Sequence, residues 1–369
     1  MKRLLIAAVL SLSQIPMANA LAPLQSPNIS ANTLFLYRHS NFSALDQSTE
    51  RNGLDLQEAE VAFYSDVDPY SRLNILLSVH PEYEYDNSKV NQSWAVEPEE
   101  AFAETTRVPA TTIKLGKFKA AFGKHNALHT HAFPFVDAPV AQTALLGAEG
   151  LNDVGISASY LIPVSWFSEL TAQYLRGEGE NTAFNSPSPN DGVGLAHLKN
   201  LWDLSDEMTM EFGLSHAQGN NYLQEKTLLN GVDLTFKWRP VAGGKYHSWV
   251  AATEWIQRRM EQPTVSAEKD LGWNIWTQYQ FAERWALAFR YDHLKTMDAD
   301  NNINTESALE NIRTQKYSTS LVFNTTEFSS YRLEFDYADG PQAANGDRIE
   351  RKIYLQANFT IGSHPAHSY

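Results

Sequence analysis

The feature that most constrains this chain is an alternation of apolar and polar side chains with a period of two, held over segments of about ten residues. In Trp285-Ala-Leu-Ala-Phe-Arg-Tyr-Asp292, the residues Trp285, Leu287, Phe289 and Tyr291 share one face, opposite Arg290 and Asp292. Tyr331, Leu333, Phe335 and Tyr337 repeat the pattern against Arg332, Glu334 and Asp336. Met208, Met210, Phe212 and Leu214 stand opposite Thr209 and Glu211, and Val232, Leu234, Phe236 and Trp238 opposite Asp233, Thr235, Lys237 and Arg239. Successive side chains alternate faces only in a β-strand. Soluble strands average about 5–6 residues, whereas about ten tilted residues cross a hydrocarbon layer. Aromatic residues also cap the apolar faces, as Trp285 and Tyr291 or Tyr331 and Tyr337 do, which suits the two membrane interfaces. A sheet crosses lipid only when closed, since an open edge would leave backbone groups unpaired. The expected fold is all-β: a closed antiparallel transmembrane barrel.

The first residues set the compartment. Lys2 and Arg3 precede an apolar stretch from Leu4 to Leu12, and Ala18-Asn19-Ala20 offers a small-x-small cleavage pattern. Gln14 and Pro16 interrupt the stretch, so an uncleaved anchor of about 20 apolar residues is the poorer reading. Cleavage after Ala20 leaves 349 of the 369 residues. No cysteine is present, which removes disulfide frameworks and thiol chemistry. The formal charge of −14 becomes −16 once Lys2 and Arg3 are gone. That balance argues against nucleic acid as a partner.

Sixteen segments fit the strand pattern: 32–39, 55–65, 70–79, 99–107, 111–122, 153–162, 166–175, 193–202, 207–217, 228–238, 246–257, 270–281, 285–294, 315–324, 329–338 and 351–361. Their connections alternate between tight turns, such as Pro163–Val164 and Asp203–Asp206, and longer polar stretches at 40–54, 81–98, 123–150, 176–192, 218–227, 258–269, 295–314 and 339–350. Short periplasmic turns alternating with longer outer loops mark outer-membrane barrels. The expected organisation is a leader at 1–20, a periplasmic segment at 21–31, the barrel at 32–361 and a periplasmic tail at 362–369. An even strand count puts both chain ends in the periplasm.

Sixteen strands enclose a lumen too wide for side chains alone to fill. The inward faces carry Glu58, Glu60, Glu169, Glu211, Asp233, Lys237, Arg239, Arg290, Asp292, Arg332, Glu334 and Asp336. They either keep the lumen wet or select ions, and their excess of carboxylates favours cations mildly. The third long stretch is the most distinctive. It holds His125, His129 and His131 within seven residues, followed by Asp137, and Phe133, Pro134, Phe135 and Pro139 imply packing against something. Imidazole and carboxylate are zinc-ligand types, so zinc contact here stands beside the reading of exposed bystander histidines. His364 and His367 form a second, weaker pair in the tail.

The stretch Ile113-Lys-Leu-Gly-Lys-Phe-Lys-Ala-Ala-Phe-Gly123, with the strand opening at Gly150-Leu-Asn-Asp-Val-Gly155, resembles the phosphate-selective porin O and P family. Ser26-Pro-Asn-Ile-Ser30, Asp55-Leu-Gln-Glu-Ala-Glu60, Ser65-Asp-Val-Asp-Pro-Tyr70, Leu128-His-Thr-His131 and Ile361-Gly-Ser-His-Pro-Ala-His367 more closely resemble a group of porin-like outer-membrane proteins, some named for zinc regulation or receptor-type uptake. The resemblance implies sixteen strands, a third outer loop bent into the lumen as the constriction, and a homotrimer. In this chain the constriction would be 123–150, with His125, His129, His131 and Asp137. A phosphate-selective pore uses a ladder of basic residues; here inward Lys and Arg are isolated, so phosphate selectivity does not carry over.

The leading function is passive diffusion of small hydrophilic solutes, divalent metal ions such as zinc among them, with no cofactor required. The alternative is a metal or metallophore receptor acting in zinc uptake, although plugged receptors use about 22 strands. An enzyme is disfavoured by the lack of a Gly-x-Ser-x-Gly elbow or an HExxH motif. The partners expected are outer-membrane lipid and the barrel assembly machinery.

Overall fold

In the computed structural model, residues 27–42, 51–86, 89–179, 181–264, 266–298, 310–341 and 347–362 are described. They form sixteen antiparallel strands: β1 (Asn28–Ser40), β2 (Gly53–Asp66), β3 (Arg72–Asp86), β4 (Lys89–Thr105), β5 (Thr111–Lys119), β6 (Asn152–Leu161), β7 (Phe167–Leu175) and β8 (Val193–Ser205). The second half comprises β9 (Met208–Asn220), β10 (Lys226–Trp238), β11 (Ser248–Met260), β12 (Glu268–Ala282), β13 (Trp285–Asp298), β14 (Glu310–Thr326), β15 (Ser329–Asp339) and β16 (Ile349–Ile361). Each strand pairs with its sequence neighbours, and β1 pairs with β16 from Ala31↔Ile361 to Ser40↔Lys352, which closes the barrel. All sixteen expected strands are present. The proposed leader, His364 and His367 lie outside the described residues.

Burial runs opposite to that of a water-soluble sheet. Phe289 is 48% exposed while its neighbour Arg290 is 3%; Leu333 is 48% exposed while Glu334 is 0%. Large apolar groups such as Leu115, Ile156, Leu214, Ile275 and Leu355 also stand outward. An apolar exterior around a polar interior is stable when the exterior meets lipid. Among the described residues no helix is long and apolar enough to cross a membrane.

Several boundaries depart from the sequence reading: β11 and β13 run on to Met260 and Asp298, β14 starts at Glu310, and three further departures bear on the site. β1 begins at Asn28 rather than 32, its first residues pairing with Phe63 and Tyr64 of β2. The stretch 81–98 was expected to be a loop, but β3 and β4 run through it as one long hairpin with Pro81 opposite Trp94 and Pro98 opposite Leu77. Pro98 sits at a register shift between Leu76 and Leu77, where a ladder donor is dispensable. β5 stops at Lys119 instead of 122, because Ala120 N–H donates to Leu151 O at 2.7 Å and turns the chain off the wall.

The connections 67–71, 106–110, 162–166, 206–207, 239–247, 283–284 and 327–328 share one end of the barrel, and the remaining connections share the other. The longest, 120–151, contains two 3-10 turns (His125–Ala127 and Thr130–Ala132) and the helix α1 (Val140–Leu146).

Candidate functional site: the inward segment 120–151 and the wall it meets

The departure of 120–151 from the wall is fixed at its roots. Asn126 donates from Nδ2 to Ala120 O at 2.8 Å and to Leu151 O at 3.0 Å, and its Oδ1 accepts from Leu151 N–H at 2.7 Å. One side chain therefore joins the two ends of the segment. Gly150 permits this: its φ is +66°, and a Cβ there would lie 2.2 Å from Asn126 Oδ1.

Beyond the roots the segment has an apolar side. Phe122, Leu145, Leu146 and Leu151 pack with Phe184 of the 176–192 connection and with Leu195, Leu229 and Ile256 of the wall. Helix α1 lies over β11–β13. It approaches so closely that a Cβ on Gly272 would come within 2.4 Å of Ala141 Cβ. Burying these apolar groups stabilises the docked segment by about 1.5–3 kcal/mol per large side chain.

The polar side of the segment meets the charged wall. Lys124 Nζ stands 2.6 Å from Glu211 Oε1, and Gly123 N–H donates to Ser215 Oγ at 2.8 Å. Gln57 Nε2 donates to Val136 O at 3.1 Å, Val136 N–H to Glu334 Oε2 at 3.0 Å, and Arg332 Nη2 to Phe133 O at 2.9 Å. Asp137 pairs with Arg290 Nη2 at 2.5 Å and with Lys316 Nζ. Arg290 also holds Asp292 at 2.8 Å and lies 4.6 Å over the Phe135 ring. Burial would raise the Asp137 carboxyl, but Lys316 and Arg290 outweigh it and hold it below the usual carboxylate range.

The three histidines do not converge. His125 is buried, its ring 4.5 Å from that of Phe133, with its backbone N–H turned to the Glu254 carboxylate. Burial first, then Arg290, pushes its imidazole down to about 3. His129 lies between two carboxylates, Nδ1 2.9 Å from Glu99 Oε1 and Nε2 3.2 Å from Glu100 Oε2. Burial opposes its charge, yet Glu100 and Glu99 outweigh burial and hold the ring up at about 10. His131 stacks on His129 with centroids 6.0 Å apart, and its Nδ1 is 2.6 Å from Glu60 Oε2. Burial and the neighbouring His129 push it down to about 4. Three histidines on one ion is thus not the arrangement found: His125 belongs to the Glu254 side, and Glu60, Glu99 and His129 are the ligand types that come together.

Of the wall residues named from the alternation, Glu58, Glu60, Glu211, Asp233, Arg290, Asp292, Glu334 and Asp336 are buried inside the barrel. Glu169, Lys237 and Arg332 are half-buried. Arg239 is different: it stands one residue past the end of β10, exposed, donating to Gly244 O at 2.9 Å. It belongs to the mouth at the short-turn end rather than to the wall.

Other partners were missed. Glu99 and Glu100 open the segment 99–107 that reads as a strand, but they adjoin each other across a register shift, so the alternation does not mark both as inward. Arg258, 2.7 Å from Asp270 and reaching Thr182 Oγ1 at 3.2 Å, fell in a stretch read as a loop. Lys316 was legible, since it alternates with the outward Tyr317.

No family model matches the chain. A protein of Aquifex aeolicus described as uncharacterized is 27% identical over 353 residues, 87% of this chain and 71% of that protein. Among solved structures, the outer-membrane expressed OmpT of Vibrio cholerae superposes with a TM-score of 0.57 at 9% identity, covering 91% of this chain and 97% of that one. An anion-selective porin from Comamonas acidovorans gives 0.55 at 9%, covering 91% and 99%. The outer membrane channel DcaP of Acinetobacter baumannii gives 0.56 at 10%, covering 91% and 97%. The fold is that of the outer-membrane porins. At such identities the likeness concerns the barrel and leaves its selectivity to this chain's own residues.

Proposed function

We propose that the chain is an outer-membrane porin through which small hydrophilic solutes, divalent metal ions such as zinc among them, diffuse passively. The observation that carries this reading is the closed sixteen-stranded wall with charged residues inside and large apolar residues outside. Segment 120–151 acts as the constriction, held across the interior by Lys124, Phe133, Val136 and Asp137, which meet β9, β13, β14 and β15. Selectivity then rests on the charges that remain accessible beside this segment, and no bond-making chemistry is assigned. Residues 1–20 serve as a cleaved leader, the barrel assembly machinery inserts the chain, and the assembly is a homotrimer.

Liposome swelling tests the reading. Purified barrel reconstituted into vesicles should admit small sugars and zinc salts, with rates falling as solute size rises. Vesicles that swell no faster than protein-free ones would reject passive diffusion.

A further inference from the structure

We propose that Glu60 of β2, Glu99 of β4 and His129 of the inward segment form a divalent-cation site that pins the segment to the wall, with His131 beside it as a further imidazole. One ligand atom from each of the three lies within 4.8 Å of the others. All three are deep in the protein, at 2%, 4% and 6% exposure. Carboxylate oxygen and imidazole nitrogen are the donors that zinc and its neighbours in the first transition row accept.

Two observations independent of this clustering point to a cation. Glu60 Oε1 and Glu99 Oε2 are buried without a hydrogen-bond partner. Lys119 Nζ, at 2.9 Å, serves the other oxygen of Glu99, and Glu58, also buried, adds a further carboxylate beside Glu60. Buried carboxylates are costly unless they are paired or coordinate a metal, and a divalent ion between Glu60 and Glu99 would satisfy both unpaired oxygens. The second observation is the ring orientation of His129. Its Nε2 lies 3.2 Å from Glu100 Oε2 and keeps its proton there, so a cation that displaces the Nδ1 proton would meet that nitrogen's lone pair on the side of Glu99. A carboxylate on the far nitrogen is the usual way a metal-binding histidine is oriented.

Access is provided by a cavity of about 370 Å³ lined by Glu97, Glu99, Lys117, Glu149, Asp153 and Glu178, whose acidic majority draws cations toward Glu99. Glu60 and Glu99 belong to the wall and His129 to the segment, so a bound ion cross-links the two. Its effect on permeation rests on the porin reading above; binding itself does not.

The test uses the full barrel in detergent, stripped with a chelator and titrated with Co²⁺, reading the visible d–d absorption and its displacement by Zn²⁺. One equivalent should bind, with affinity falling at least tenfold in Glu60→Gln and in His129→Ala. Binding should be unchanged in His216→Ala, whose ring lies on the outward side against Asn230. Heat-modifiable gel mobility checks that each barrel is folded, and Glu99→Gln replaces any variant that is not. Absence of saturable binding, affinity unaltered in the folded variants, or loss only in His364→Ala/His367→Ala would each overturn the proposal. Swelling without Co²⁺ binding would refute the site alone, and Co²⁺ binding without swelling would refute the porin reading alone.

Discussion

Asp137→Asn loosens the inward segment by an amount the contacts allow to be worked out. The carboxylate accepts from Arg290 and Lys316, whose side chains are almost wholly buried. Removing one partner of a buried pair usually costs about 3–5 kcal/mol, because the other charge is stranded. Neither base is stranded here: Arg290 keeps Asp292 at 2.8 Å and Asp137 O at 2.8 Å, and Lys316 keeps Asp336 at 2.8 Å. Asp137 is itself 32% exposed, so solvent screens part of the attraction. These considerations bring the loss down to about 1–2 kcal/mol, or about 5- to 30-fold in the undocked population. Amide hydrogen exchange over 133–140 reads this directly, since Val136 N–H is bonded to Glu334. Exchange there should accelerate by that factor while β13–β15 remain protected. Exchange within twofold of the parent would refute the assignment of Asp137 as an anchor.

The same carboxylate makes docking acid-sensitive. Its pKa is lowered in the folded state, so its contribution is complete above the unfolded value of about 3.9 and is lost as pH falls through the lowered value; protection over 133–140, taken relative to the unstructured rate at each pH, should hold steady at pH 5–7 and fall below about 4, with Asp137→Asn lacking this part of the fall. Gly272→Val should displace α1 from β12, because even a Cβ at this position meets Ala141 at 2.4 Å, and a fluorophore attached in α1 should gain mobility while the barrel keeps its heat-modifiable mobility. Leu145→Ala, at a fully buried position of the interior core, should cost about 2–5 kcal/mol of docking stability, seen as earlier protease cleavage within 120–151.

The wall was legible in the sequence because a strand crossing lipid must alternate, and Phe289 against Arg290 or Leu333 against Glu334 record that requirement residue by residue. Legibility failed where the chain departs from the pattern for a non-local reason. Pro98 reads as a strand breaker until its partner Leu77 is known to sit at a register shift. Ala120 to Phe122 continue the apolar run of β5, yet a hydrogen bond to Leu151, thirty-one residues on, turns them inward. The histidine-bearing segment was conspicuous from composition, but its partners were not. Glu60 and Glu99 reach His129 only because β2 and β4 face the segment, and spacing along one segment cannot show which wall residues it meets. Glycine gave a signal that went unread: Gly272 interrupts the polar inward face of β12 just where α1 presses against it.

Single-channel conductance in a planar bilayer, comparing the parent with a variant in which a short Gly-Ser link replaces 124–149, tests the constricted-porin reading most directly. The parent should give small ohmic steps with mild cation preference, and the deletion should enlarge each step several-fold, since the segment meets β9 and β13–β15 across the interior. Equal conductance in the two barrels, or none in either, would contradict it.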